Sequence, residues 1–334
     1  MKGNVRYQLF PQRPCWPMIG RVRARLAKVF QSLAIAVREL AIMRILVTGA
    51  SGQLGSYLVH ELRRAGRSEL VLWSRGTTGS RSGLEVRPVD LADGLALTSA
   101  LEEADPDVVI HAAAISTAGQ VRMAPEHALA VNVEGTRRLA AWCGDRGRRL
   151  VFTSTDLVFD GARGWYREDD EPSPMLAYGQ TKAAAEPLVL QIPGGLVARI
   201  SLLYGPSRAG RASFFDRALA SLRAGEPQVC FEDEFRTPLD YATAARILIR
   251  LAENQAGGIM HVAGRERVSR YELMQRVARA LGLDPDLVRA NRQQDADLAE
   301  PRPADVSLDT SRLASLLPDL DRPSIETALW MLTT

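Results

Sequence analysis

Tyr178 and Lys182 stand four residues apart in the run Ala177-Tyr-Gly-Gln-Thr-Lys-Ala-Ala-Ala-Glu186, a spacing that puts both side chains on one helical face. A free phenol titrates near ~10 and is a poor proton donor at neutral pH. An ammonium beside it favours the phenolate and lowers that value. The phenol could then give its proton to a carbonyl oxygen while hydride arrives at the carbonyl carbon. Thr155, at the end of the apolar run 149–153, could hydrogen-bond the same oxygen. Lysine suits the pairing, because a compact ammonium on a long stem also reaches a ribose. Lys182 is the only lysine after Lys28. A Tyr-x-x-x-Lys pair arises by chance in many helices, and a surface Tyr and Lys is its bland alternative. It gains weight only beside a second motif.

That motif is Thr48-Gly-Ala-Ser-Gly-Gln-Leu-Gly55, which follows a short apolar run and precedes a helical one. Gly49, Gly52 and Gly55 let the backbone turn tightly and approach a pyrophosphate. The amides around Ser51, Gln53 and Leu54 then face its negative charge. In its strand-turn-helix context the pattern reads as a dinucleotide turn rather than an ordinary glycine-rich one. The next strand ends Trp73-Ser74-Arg75, where NAD-binding folds usually place a carboxylate for the ribose 2′-hydroxyl. Arg75 could instead pair with a 2′-phosphate, so NADP is favoured and NAD stays open. A solvated loop arginine is the alternative reading.

The elements that must position these groups alternate. Strands are expected at 44–48, 69–73, 107–111, 149–153 and 196–200, with helices at 57–65, 95–104, 125–143 and 178–186 between them. Strands apolar on both faces, separated by helices, predict an α/β fold: a doubly wound parallel sheet of Rossmann type. Proline 187 is unexpected in the last of these helices, since proline removes an amide donor. Beyond Tyr204 the character changes, with helices at 214–224, 241–253 and 269–281, a strand at 259–262, and an irregular end with a short helix near Ile325. The expected division is a mainly Rossmann domain over 43–204 and a smaller mixed lobe, mainly for substrate, over 205–334. Residues 1–42 read as a basic extension outside the fold.

The chain has 334 residues and a formal net charge of +3. Residues 1–42 carry eight basic side chains against Glu39 alone, so they hold +7 and the remainder −4. Nucleic-acid binding by the remainder has no electrostatic footing. From Val22 to Leu40 the apolar residues follow helical spacing among arginines. This fits a membrane-surface or targeting helix, or translated sequence upstream of a start at Met43, the reading preferred here. No apolar run is long enough for a spanning helix. Three separated cysteines and four histidines without ligand spacing argue against a disulfide scaffold and a metal site, and fit a reducing, cytoplasmic setting.

From Met43 to about Asp321 the chain resembles the extended short-chain dehydrogenase/reductases. The family's cofactor turn matches 48–55, and its adenine contact matches Asp90-Leu91. Its small-residue strand end beside the cofactor matches His111-Ala112-Ala113-Ala114, and its helix asparagine matches Asn132. Ser154-Thr-Asp-Leu-Val-Phe-Asp-Gly161, Tyr166-x-Glu168, Pro172 and Tyr178-x-x-x-Lys182 resemble the dTDP-4-dehydrorhamnose reductase group, in which threonine stands where relatives have serine; Thr155 takes that place. The resemblance implies NAD(P)H reduction of a nucleotide-linked keto sugar, with Thr155, Tyr178 and Lys182 as the catalytic set. The substrate loop departs from that group: it reads Ser116-Thr-Ala-Gly-Gln-Val-Arg122 and lacks the group's Asp-Lys pair. Ser116, Phe214 and Arg236 are the substrate-facing candidates. Arg236, in Glu234-Phe-Arg-Thr-Pro238, suits a diphosphate, and a structural ion pair is its equal alternative. Competing functions are a nucleotide-sugar epimerase, or a non-catalytic NADP-binding subunit like methionine adenosyltransferase β. A 4,6-dehydratase ranks lower, because Leu157 stands where its acidic pair ends. A homodimer stays open, since the sequence does not reveal the oligomeric state.

Overall fold

The computed structural model describes residues 43–66, 68–76, 79–81 and 83–333, so the expectations for residues 1–42 lie outside the described part. The chain opens with β1 (Met43–Thr48) and α1 (Gln53–Ala65), then β2 (Ser68–Ser74), β3 (Gly79–Arg81), β4 (Leu84–Pro88), α2 (Gly94–Ala104) and β5 (Val108–His111). Two short helices follow, α3 (Ala118–Met123) and α4 (Pro125–Leu129). Then come α5 (Gly135–Asp145), β6 (Arg149–Thr155), α6 (Ala177–Leu190), β7 (Gly195–Ile200) and β8 (Leu203–Tyr204). The remainder comprises α7 (Phe214–Arg223), β9 (Gln228–Phe231), β10 (Phe235–Arg236), β11 (Leu239–Asp240), α8 (Tyr241–Glu253), β12 (Gly258–Val262), β13 (Val268–Ser269) and α9 (Arg270–Ala280). It closes with β14 (Val288–Asn291), α10 (Ser311–Leu316) and α11 (Ile325–Thr333).

The main sheet runs β12-β7-β6-β5-β1-β2-β4-β3, parallel except for β3 against β4. The strand order reverses between β1 and β5, so the crevice above their carboxyl ends is the topological switch point of a doubly wound sheet. The expected α/β class is therefore observed. Helices cover both faces over two apolar layers. Ile45, Val47, Leu58 and Leu248 lie in one, and Leu46, Trp73, Phe152 and Val197 in the other. All seven residues of β6 are buried, as a central strand requires. Among the described residues, no helix is long and apolar enough to cross a membrane, and no cluster of potential ligands could hold a metal ion.

Three features differ from the sequence-based expectation. First, the division at 204 is crossed: β12 adds to the main sheet beside β7, and α8 packs into the core over the sheet. A smaller apolar cluster holds α7, α9 and α11 together. Strand pairing over long sequence separation erases a boundary that composition alone suggested. Arg149 shows the tie directly, since its guanidinium donates to the carbonyls of Leu251 at 2.6 Å and Ala256 at 2.7 Å, at and beyond the end of α8. Second, the helix expected over 125–143 is interrupted by a π-turn at 130–134 between α4 and α5. Such single-turn bulges re-aim side chains and recur at functional sites. Third, α6 continues through Pro187 to Leu190, so the proline is absorbed within the helix beyond the Tyr178–Lys182 turn.

Candidate active site

The site begins where β1 ends. Gly49 turns the chain with φ 70°, and a Cβ there would lie 2.7 Å from the Ala113 nitrogen. The close approach of β1 and β5 thus excludes any side chain at Gly49. Gly52 donates to the Gly49 carbonyl at 2.8 Å and opens α1 without a side-chain cap. The first amides of α1 therefore keep their hydrogens for an anion. Gly55 has a different duty: its Cβ would sit 2.0 Å from the Gly49 carbonyl oxygen, so it lets α1 rest on the turn and does not line the crevice.

A cleft of about 700 Å³ extends from this turn along the switch point. Gly49, Ser51, Gly52, Gln53 and Leu54 line its floor. Ser74, Arg75, Asp90 and Leu91 line one end, and Ala112, Ala113, Ala114 and Ser116 one wall. Thr155 and Tyr178 line the other end. Arg75 is exposed, with Nη1 3.4 Å from His127 Nε2, and is open to an anion at its end of the cleft.

Two expected cleft residues lie beneath the surface instead. Asn132, on the π-turn, accepts from the Ile115 amide at 2.8 Å and donates to the Ile115 carbonyl at 3.0 Å. It also donates to Thr181 Oγ1 at 3.0 Å. It is therefore a staple between the β5 exit and α6, and fixes where Tyr178 stands. Its buried amide needed more partners than one straight helix could bring to it. Lys182 is likewise buried at 1% exposure, with Nζ 3.9 Å above the Phe152 ring. Burial lowers its pKa to about 7, against the opposing pull of Glu186.

The expectation that Lys182 acidifies Tyr178 is not reproduced: the phenol pKa is raised, first by burial and then by the Asp156 carboxylate. Desolvation of the phenol and the Asp156 carboxylate both act in the direction opposite to an ammonium. The phenol consequently stays protonated, which suits a proton donor. Thr155 Oγ1 donates to Asp156 Oδ1 at 3.1 Å and accepts from the Leu157 amide at 3.2 Å, so a substrate oxygen would compete with Asp156 for its hydrogen.

His111 was legible only as part of the small-residue strand end, yet it organises the crevice floor. Thr136 Oγ1 donates to the Asn132 carbonyl at 2.7 Å, so it must accept from His111 Nε2 at 3.0 Å. That leaves His111 Nδ1 to accept from Thr48 Oγ1 at 2.7 Å, while Thr48 accepts from the Ala113 amide at 3.2 Å. Each hydrogen has one place in this chain, and the ring is neutral. Burial, aided by Lys182, lowers its pKa to about 3.

A second cavity of about 630 Å³ meets the first at Ser116, Thr155 and Tyr241 and is lined in part by Phe214 and Arg236. Of the two readings of Arg236, the structure shows the ion pair. Arg236 is 3% exposed, bonded to Glu234 at 3.1 Å and the Phe235 carbonyl at 2.7 Å, and 3.7 Å from Asp156. Arg270 and Arg302 share the same Glu234 at 2.6 and 2.9 Å, while part of each side chain reaches the cavity. One carboxylate thus serves three guanidiniums. Sequence reasoning missed Arg270 and Arg302, because no motif links them to residue 234.

Residues 43–330 match the family model described as RmlD substrate binding domain. The dTDP-4-dehydrorhamnose reductase of Streptomyces griseus is 36% identical over 270 residues, covering 78% of this chain and 82% of that protein. The chain belongs to the RmlD family. It stands among the extended short-chain dehydrogenase/reductases, oxidoreductases working with a nicotinamide dinucleotide. The methionine adenosyltransferase 2 subunit beta of Xenopus laevis is 31% identical over 283 residues, covering 82% of each chain. Among solved structures, a hypothetical dTDP-4-dehydrorhamnose reductase from Sulfolobus tokodaii superposes with a TM-score of 0.75 at 30% identity, covering 86% of this chain and 99% of that one.

Proposed function

We propose that this chain reduces the keto group of a nucleotide-linked 4-keto-6-deoxysugar, dTDP-4-dehydrorhamnose or a close analogue, with NADPH as the preferred cofactor. The observation that carries the proposal is the junction of two cavities at Thr155: one is lined by the glycine turn and Tyr178, the other by arginines in excess of carboxylates. The residues present fit a dinucleotide. Gly49 and Gly52 clear its path, the α1 amides face its diphosphate, and Arg75 stands at the end where a 2′-phosphate would lie. The bound cofactor supplies the hydride; the protein's part is orientation and proton supply.

Arg270 and Arg302, under-compensated by Glu234, would hold the diphosphate of the sugar nucleotide. Arg236 stiffens that floor rather than touching the ligand. Tyr178 gives its proton to the nascent alkoxide, and its raised pKa keeps that proton in place until charge develops on the oxygen. Thr155 turns its hydroxyl from Asp156 towards the same oxygen. Lys182, from beneath, supplies a positive charge in its protonated form.

The test is NADPH oxidation against a panel of 4-keto nucleotide sugars. Reduction of at least one member by the wild type is expected. Tyr178→Phe should lower kcat by about 100-fold or more, the scale of a lost general acid, while NADPH still binds. Equal turnover by both proteins would refute the role of Tyr178. NADPH binding without reduction of any panel member would favour a non-catalytic binding subunit.

A further inference from the structure

Residues 205–211 follow β8 and run back over the first turns of α1. Their fastening is specific. Tyr57 Oη donates to the Pro206 carbonyl at 2.8 Å, and Gln53 Nε2 donates to the Arg211 carbonyl at 3.0 Å. Ser207 Oγ donates to that same carbonyl at 2.7 Å, and the Ser207 amide donates to Asp216 at 3.0 Å. The Arg208 guanidinium lies 5.2 Å over the Tyr57 ring. The segment is thereby tied both to the helix that opens at the glycine turn and to α7.

Ala209 and Arg211 line the first cleft. The charged side chains lining this cleft are Arg75, Asp90 and Arg211. Arg75 and Asp90 follow the carboxyl ends of β2 and β4, at the far end. The backbone of Arg211 is tied to the first turn of α1, through the Gln53 bond to its carbonyl. Its side chain is exposed, and among the described residues its guanidinium has no ion-pair or hydrogen-bond partner. The same cleft is thus lined by an uncompensated guanidinium and by the uncapped opening of α1, and both suit an anion.

We propose that Arg211 pairs with the bridging diphosphate of the dinucleotide, with Ala209 and Arg211 of the segment 205–211 forming part of the wall of the cofactor site. This rests on the reading of the cleft as a dinucleotide site. It assigns the two cleft arginines different parts of the ligand: Arg75 the 2′-phosphate, found only in NADPH, and Arg211 the diphosphate, common to NADPH and NADH. Gln53 ties the backbone of Arg211 to α1.

The experiment is equilibrium binding of NADPH and of NADH to the purified full chain, followed by nicotinamide fluorescence without substrate. Arg211→Ala should weaken both by about 10-fold and to a similar degree, the scale of one charge-assisted contact. Arg211→Lys should recover part of the loss. Gln53→Leu, which frees the segment, should reproduce part of it, and unchanged melting temperatures would show the variants folded. Affinities for both cofactors within about two-fold of wild type in Arg211→Ala would overturn the proposal. So would a loss confined to NADPH, which would place Arg211 on the 2′-phosphate. A wild type that binds neither nucleotide would overturn the reading of the cleft and this inference with it.

Discussion

Lys182 offers a sharp test of the site's electrostatics. Its amine is buried, and its pKa falls from 10.5 to about 7. The unfolded chain therefore holds this proton up to about pH 10, while the folded chain releases it near neutrality. Between these values the unfolded state binds more protons, so stability rises with pH. The contribution is full above the unfolded value and lost as pH falls towards 7. Integrating from pH 7 to pH 9, this one group stabilises the fold by about 2 kcal/mol. Lys182→Met keeps the length and apolar contacts of the side chain and removes the titration. Urea midpoints with constant m-values would give the stability of both proteins at the two pH values. The expected result is a variant more stable than wild type at pH 7, with the advantage shrinking by about 2 kcal/mol at pH 9. Other groups that titrate in this range cancel in the difference. A gap between the two proteins that stays constant with pH would refute the burial-driven depression of Lys182.

Two further outcomes are expected. Arg75→Ala should weaken NADPH by about 10-fold or more while leaving NADH little changed, measured by titration of nucleotide fluorescence; equal losses would contradict a 2′-phosphate contact. Asn132→Leu removes the three bonds that join the Ile115 backbone to α6. It should lower stability by about 2–4 kcal/mol and kcat more than cofactor affinity, and denaturant unfolding with intact kinetics would show that the staple does not position Tyr178.

The elements visible in the sequence are those governed by short-range rules. The turn at 49–55 depends on glycines within one loop, and the Tyr178–Lys182 face on the pitch of a single helix. Strand and helix alternation from Met43 to Ile200 follows from local apolar periodicity, which is why the doubly wound sheet could be anticipated. The π-turn around Asn132 was not visible, and its partners Ile115 and Thr181 lie 17 and 49 residues away in the chain.

What the sequence by itself determined is which groups are present and which of them share a turn or a helix face. Tertiary structure decided how those groups are engaged. It gave Arg236 to Glu234 and the Phe235 carbonyl, with Asp156 close by, and left Arg270 and Arg302 facing the cavity. It set Lys182 over Phe152, raised the Tyr178 phenol beside Asp156, and carried β12 into the main sheet. The physical reason is common to all of these. Helical pitch and backbone torsion act over a few residues, whereas desolvation and ion pairing depend on whatever the packed chain brings within a few ångströms.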